Sequence, residues 1–265
     1  MNDFTLKFDL QPLKELDQLA LLACQKYNYG NESDWFNAFR GGLYGSIARI
    51  HGVVKHYFDI HAWLPKAWST TENEYHIASI FFNMDSTVEC FTFSLNAFGY
   101  GVDPLSFRDL TDHQQLKKIN PQNIIGRSEL DSTNIVVGYN KIFSTVQKHW
   151  MENRNLLEII TEQHDVSKHR ETIFSGGNMR NDPPEGFYEM LGIGSDPTDR
   201  SMLKPMAEII LRSDPKTPHV NRISQSKESQ LLLEDIVNQF RNFFVITVKS
   251  ALEDAKRNIP LSNTN

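Results

Sequence analysis

The eight residues from 164 to 171, His-Asp-Val-Ser-Lys-His-Arg-Glu, hold the densest group of chemically active side chains in this sequence. They combine two imidazoles, two carboxylates, a lysine and a guanidinium within about two helical turns. Such groups bind metal ions, transfer protons or hold anions. Residues four apart on a helix share a face, so His164 aligns with Lys168 and Asp165 with His169. These four residues are therefore the candidate catalytic groups.

His164 and Asp165 are also the candidate metal ligands, because imidazole nitrogen and carboxylate oxygen both suit a divalent transition metal. The string His164-Asp165-x-x-Lys168 resembles the signature of the HD phosphohydrolases, an all-helical family. This resemblance covers five residues. It implies that His164 and Asp165 bind a divalent metal that activates water, with Lys168 contacting phosphate. Alternatively, Asp165 holds His169 in one tautomer and makes it a better base.

Two interpretations without catalysis stay open for the same segment. In the first, it is the charged end of a helix, a solvated face whose cations favour the helix C-terminus. In the second, it lines an anion- or partner-binding pocket under residues 175–200. The ligand-binding candidates there are basic side chains together with a polar residue from an apolar helix end: His164, Lys168, Arg170, Arg180 and Asn96.

A third enzymatic interpretation uses an arginine followed a few residues later by a histidine. Arg108-Asp109-Leu110-Thr111-Asp112-His113 has this spacing and resembles the motif of the HEPN ribonucleases, which are also helical. Arg212 and His219 fit the spacing less well. The resemblance implies metal-independent RNA cleavage by Arg108 and His113.

The remaining histidines are expected to be core or surface residues rather than ligands. His51, His56 and His61 recur every five residues, and each such step on a helix rotates the side chain by about 140°. The three therefore do not share one face.

Composition limits the class of protein. The chain has 265 residues, a formal net charge of -6 and a 40% hydrophobic fraction, which is enough apolar material for a sizeable core. The acidic balance argues against broad nucleic-acid binding without excluding a local patch. Two cysteines, Cys24 and Cys90, exclude a disulfide framework and a cysteine-based zinc site. The first residues lack the pattern of a signal peptide, so we expect a soluble cytoplasmic protein.

Helical periodicity dominates the chain. Long helices are predicted over about 12–27, 34–63, 74–97, 141–163 and 226–257, with the fourth continuing through the histidines to about 174. Gly99-Tyr100-Gly101 is expected to end the third helix. Residues 105–140 indicate short helices and turns, with Ile135 to Val137 as a strand or extended segment. Residues 175–224 form a loop-rich excursion, and 260–265 a frayed tail.

Five long helices without strand alternation predict a single all-α domain over residues 1–265, built as a bundle. The favoured function is non-enzymatic: binding of a ligand or partner through His164–Arg170. A metal-dependent phosphohydrolase and a HEPN-like ribonuclease are the alternatives. A divalent metal is the only cofactor that these interpretations imply. The apolar stripe of the 226–257 helix would suit a homodimer interface or a core equally well.

Overall fold

The computed structural model describes residues 6–27, 34–63, 70–125, 134–169 and 227–259. Within these ranges 86% of residues are helical and none lies in a strand, which confirms the all-α class. The helices are α1 (Gln11–Tyr27), α2 (Asp34–Trp63), α3 (Thr70–Val102), α4 (His113–Leu116), α5 (Pro121–Ile125), α6 (Asn134–Ile142), α7 (Ser144–Glu152), α8 (Arg154–His169) and α9 (Lys227–Asn258). Among them, none combines the length and the apolar character needed to cross a membrane.

Helix α3 is the centre of the bundle, because apolar residues are buried along its length. Phe81, Phe91 and Phe98 are fully buried, and α3 contacts α1, α2, α5, α6, α8 and α9. Buried polar side chains of α3 bond to main-chain carbonyls one turn earlier, as Thr87 does to Asn83 and Thr92 to Val88. This satisfies hydroxyls that would otherwise destabilise the interior.

The closest partner of α3 is α2, and glycine allows the approach. A Cβ on Gly42 would lie 2.6 Å from the carbonyl oxygen of Cys90, whereas a Cβ on Gly41 would meet nothing within 4 Å. Gly41 and Gly42 therefore have different structural roles. Gly42 lets the two backbones touch, and the intrinsic cost of glycine in a helix is offset by that packing.

The predicted end of α3 is wrong. The helix runs through Gly99 and Gly101 to Val102. A large aromatic ring lies against each of the two glycines, which explains the absence of a side chain there. A Cβ on Gly99 would lie 2.3 Å from the Phe107 ring, and one on Gly101 would lie 2.3 Å from the Trp35 ring. These glycines make room for aromatic side chains rather than for a turn.

The predicted continuous helix from 141 is also wrong, since breaks at Phe143 and Asn153 divide it into α6, α7 and α8. At the first break, buried Asp254 of α9 accepts hydrogen bonds from the main-chain N–H groups of Thr145 and Val146, at 2.8 and 3.2 Å. This carboxylate caps α7 from more than 100 residues away. Residues Ile135 to Val137 lie in α6 and form no strand. The predicted excursion over 175–224 and the tail over 260–265 lie outside the described residues.

Candidate functional site

His56, Asp59 and His76 form a cluster between α2 and α3. His56 and Asp59 are three residues apart on α2 and therefore share a face, and His76 lies opposite them near the beginning of α3. One potential ligand atom from each residue lies within 4.8 Å of the other two. In the part of the chain that the structure describes, this is the single group of three or more His, Cys, Asp or Glu residues so placed.

The two imidazoles of this cluster face each other. His56 Nδ1 lies 2.9 Å from His76 Nδ1, so one neutral ring donates its Nδ1–H to the other. Asp59 is more distant, with Oδ2 3.9 Å from His76 Nδ1. That same oxygen accepts a hydrogen bond from Lys55 Nζ at 2.7 Å. The carboxylate thus lies between a lysine and the histidine pair.

Of these two distances, one is shorter and the other longer than the spacing between two ligand atoms on one metal ion. Ligand atoms about 2.0–2.1 Å from a tetrahedral zinc ion are about 3.3 Å from each other. The nitrogen pair, at 2.9 Å, is somewhat closer than this, and the oxygen–nitrogen pair, at 3.9 Å, is somewhat wider.

The surroundings of His56 and Asp59 favour the protonation states that bind a metal. Burial, followed by the neighbouring His76 and Lys55, lowers the pKa of His56 and favours the neutral ring that a metal needs. The hydrogen bond from Lys55 lowers the pKa of Asp59 and favours the ionised carboxylate. The side chain of His76 is 13% exposed and that of Asp59 is 32% exposed, so an ion could reach the cluster from solvent.

His164 lies on α8 and occupies a different environment, in contact with α3. It is buried, and its Nδ1–H donates to Asp85 Oδ2 at 2.7 Å. The other oxygen of Asp85 accepts a hydrogen bond from Thr161 at 2.9 Å. The ring of Phe82 packs edge-on against His164 at 5.3 Å. This arrangement attaches α8 to α3.

The two residues of the predicted metal pair, His164 and Asp165, lie in different environments. His164 is buried against Asp85, whereas Asp165 is exposed, and the two do not belong to a three-ligand group within the described ranges. The side chains of Lys168 and His169 lie outside the described residues, as do Arg170 and Arg180 entirely. Asp85 is not among the candidates predicted from the sequence, although a carboxylate inside the apolar stripe of α3 is a signal that it has a buried partner.

Asn96 serves the protein's own main chain. It is fully buried, its amide donates to the carbonyl of Arg108 at 3.0 Å, and its side-chain oxygen accepts from the Arg108 N–H at 3.1 Å. Both polar ends of the side chain are thus engaged, which holds the segment after α3 in place. As a ligand-binding residue, Asn96 would have to give up both of these bonds.

The predicted ribonuclease pair lies at the edge of the same segment. Arg108 is half-buried with its main chain held by Asn96, and His113 is exposed as the first residue of the four-residue helix α4. Asp112 caps that helix by accepting from the Gln114 N–H at 2.8 Å. Arg212 and His219 lie outside the described residues.

Comparison of the chain with protein-family models, with curated proteins and with solved structures found no match in any of the three. Functional assignment therefore depends on the geometry of the chain's own residues.

Proposed function

We propose that this protein binds a divalent transition-metal ion with His56, Asp59 and His76, and that the ion joins α2 to α3. The observation that carries the proposal is the approach of two imidazoles and a carboxylate to within 4.8 Å at the interface of two helices. The proposal keeps the ligand-binding role expected from the sequence and moves it to different residues.

The donor set favours zinc and its neighbours in the first transition row over calcium or magnesium. Imidazole nitrogen is a good ligand for zinc, iron, nickel and copper, whereas calcium and magnesium prefer sites made only of oxygen. Three protein ligands leave one position of a tetrahedral ion for water or another small ligand. An ion held in this way would be exchangeable and accessible.

The experiment is zinc stoichiometry and affinity of the metal-stripped protein, by elemental analysis and calorimetry. We expect about one zinc per chain for the wild type and loss of that zinc in His56→Ala and His76→Ala. His51→Ala is the matched control, because it removes an exposed histidine from the same helix without touching the cluster. Absence of zinc from the wild type, or its retention in His76→Ala, would refute the proposal.

The same experiment separates the earlier interpretations. A phosphohydrolase of the HD type would lose its metal in His164→Ala and keep it in His76→Ala. A ribonuclease would cleave RNA without metal and lose that activity in His113→Ala. Partner binding through His164–Arg170 would leave zinc content unaffected by all of these substitutions. These three functions stay predictions.

Location and assembly also stay predictions. The cytoplasmic location rests only on the mildly acidic composition of the chain. The apolar stripe of the last helix suits either a homodimer interface or a core by its sequence, and in the structure that stripe faces the protein's own core. Val237, Phe240 and Phe244 of α9 are buried within the single chain. A dimer would therefore need a different face of α9.

A further inference from the structure

Lys55 and a metal ion would compete for the same oxygen. Lys55 Nζ lies 2.7 Å from Asp59 Oδ2, and this is the oxygen that lies 3.9 Å from His76 Nδ1. A metal bound by the two histidines would have to reach the carboxylate at this oxygen or at its partner oxygen. In either case the ammonium group would lie next to a divalent cation.

We propose that Lys55 is an internal cation that occupies the carboxylate of the site until a metal displaces it, and so sets the metal affinity. This inference rests on the proposed metal-binding function. It assigns to Lys55 a regulatory role that is separate from the ligands themselves. The lysine acts by charge and by its bond to Asp59, and it does not contact the metal.

The position of Lys55 allows this exchange. Its side chain is 69% exposed, so the ammonium can swing into water when the metal arrives, without unfolding any part of α2. The lysine and Asp59 are four residues apart, which keeps the ammonium within reach when the site empties. Among the side chains that the structure describes, Tyr75 of α3 also lies beside the cluster, and its ring packs against those of His56 and His76.

The test measures zinc affinity in the full-length chain carrying Lys55→Gln or Lys55→Arg. Removing the charge should tighten zinc binding about tenfold, because the carboxylate is freed and a repulsive charge is lost. Lys55→Arg keeps the charge and should bind zinc like the wild type. Lys148→Gln is the matched control, because Lys148 makes the same kind of i,i+4 ion pair with Glu152 on α7. It should leave the affinity unchanged.

The outcomes separate this inference from the proposed function. If the wild type binds zinc through His56 and His76 but Lys55→Gln has the same affinity, the role of Lys55 is refuted and the site stands. Equal tightening in Lys55→Gln and Lys148→Gln would show a general effect of net charge and would also refute it. If the wild type binds no zinc, both fail together. Circular dichroism of each exposed-lysine variant would confirm that the helices are retained.

Discussion

Two polar clusters that contain histidine involve α3, and they differ in how completely their hydrogen-bonding groups are satisfied within the protein. At His164, the imidazole is matched with a carboxylate at 2.7 Å, and the second oxygen of Asp85 is taken by Thr161. At His56 and His76, two imidazoles share one hydrogen bond, and the nearby carboxylate is held by a lysine instead. The first cluster is a closed polar network, whereas the second has ligand atoms that a metal could use.

This difference shows that the density of reactive residues along the chain does not indicate which of them have partners in space. The 164–171 segment has more acids, bases and cations than any other, yet His164 pairs with a residue 79 positions away. His56 and His76 are each unremarkable in sequence. A donor is available for chemistry when its neighbours in space do not already satisfy it, and those neighbours come from other helices.

The largest expected effect is on the closed network. Asp85→Ala removes the acceptor for both His164 and Thr161, and leaving such a donor unsatisfied costs about 1–3 kcal/mol for each of the two. We expect the free energy of unfolding, measured in urea, to fall by that amount. Asp165→Ala is the control, because Asp165 is exposed, and it should change stability by less than about 0.5 kcal/mol. Equal losses of unfolding free energy in the two variants would contradict the proposed difference between buried Asp85 and exposed Asp165.

The second effect is on the cluster with available ligands. If zinc binds only the folded protein, free zinc at about 100 times the dissociation constant should add about 2.7 kcal/mol of stability. For a protein of this size, the melting temperature should rise by about 5–10 °C. A chelator should reverse the rise, and His76→Ala should abolish it. Asp85→Ala, although destabilised, should still show a zinc-dependent rise, because its ligands are intact.

A third effect comes from the close contact at Gly42 between α2 and α3, the two helices that carry His56 and His76. Gly42→Ala would put a Cβ 2.6 Å from the main chain of α3, and we expect a loss of about 1–3 kcal/mol together with weaker zinc binding. Gly41→Ala is the matched control, since its Cβ would enter open space, and it should stabilise the helix by about 0.5–1 kcal/mol. Thermal melts with and without zinc would measure both consequences.

The smallest effect concerns an exposed carboxylate–lysine pair that resembles Asp59 and Lys55. The hydrogen bond from Lys141 lowers the pKa of Asp103, which links the end of α3 to α6. A carboxyl with a lowered folded pKa stabilises the fold above its unfolded value of about 3.9, and this stabilisation is lost as pH falls through the folded pKa.

Lys141→Met should therefore destabilise the protein by less than about 1 kcal/mol at pH 7. The difference from the wild type should shrink toward zero as the pH falls through the lowered pKa of folded Asp103, because the carboxyl is then protonated in both states. Urea unfolding at pH 7 and at a series of more acidic pH values would measure this difference. A difference that persists at low pH would show that Lys141 acts by packing.

Much of the helical architecture is predictable from local pattern. The periodic apolar residues of α1 and α2 predict helices over about 12–27 and 34–63, and the structure has Gln11–Tyr27 and Asp34–Trp63. The errors occur where distant residues act. Gly99 and Gly101 look like terminators until the rings of Phe107 and Trp35 occupy the space beside them, and the start of α7 depends on Asp254 from the last helix.

The candidate site shows the same division. The i,i+3 spacing of His56 and Asp59 is visible in the sequence. The five-residue spacing of His51, His56 and His61 gives these histidines no common helix face, however, and so gave no reason to predict His56 as a ligand. Nothing local identifies His76 as the residue across from His56 and Asp59, because the pairing depends on the register of α2 against α3. The two helices pack closely, as at Gly42, and local sequence does not reveal which residues face each other across that contact.

By itself the sequence determined that this chain is helical, with an apolar core and with α1, α2 and α9 in nearly their observed places, because helix formation follows from periodicity and propensity over a few turns. Only the tertiary structure decided which histidine meets a carboxylate, which faces another histidine, and where the chain breaks between α6 and α8. Those outcomes depend on side chains brought together from distant parts of the chain, and burial then determines which polar groups are satisfied and which can bind a ligand.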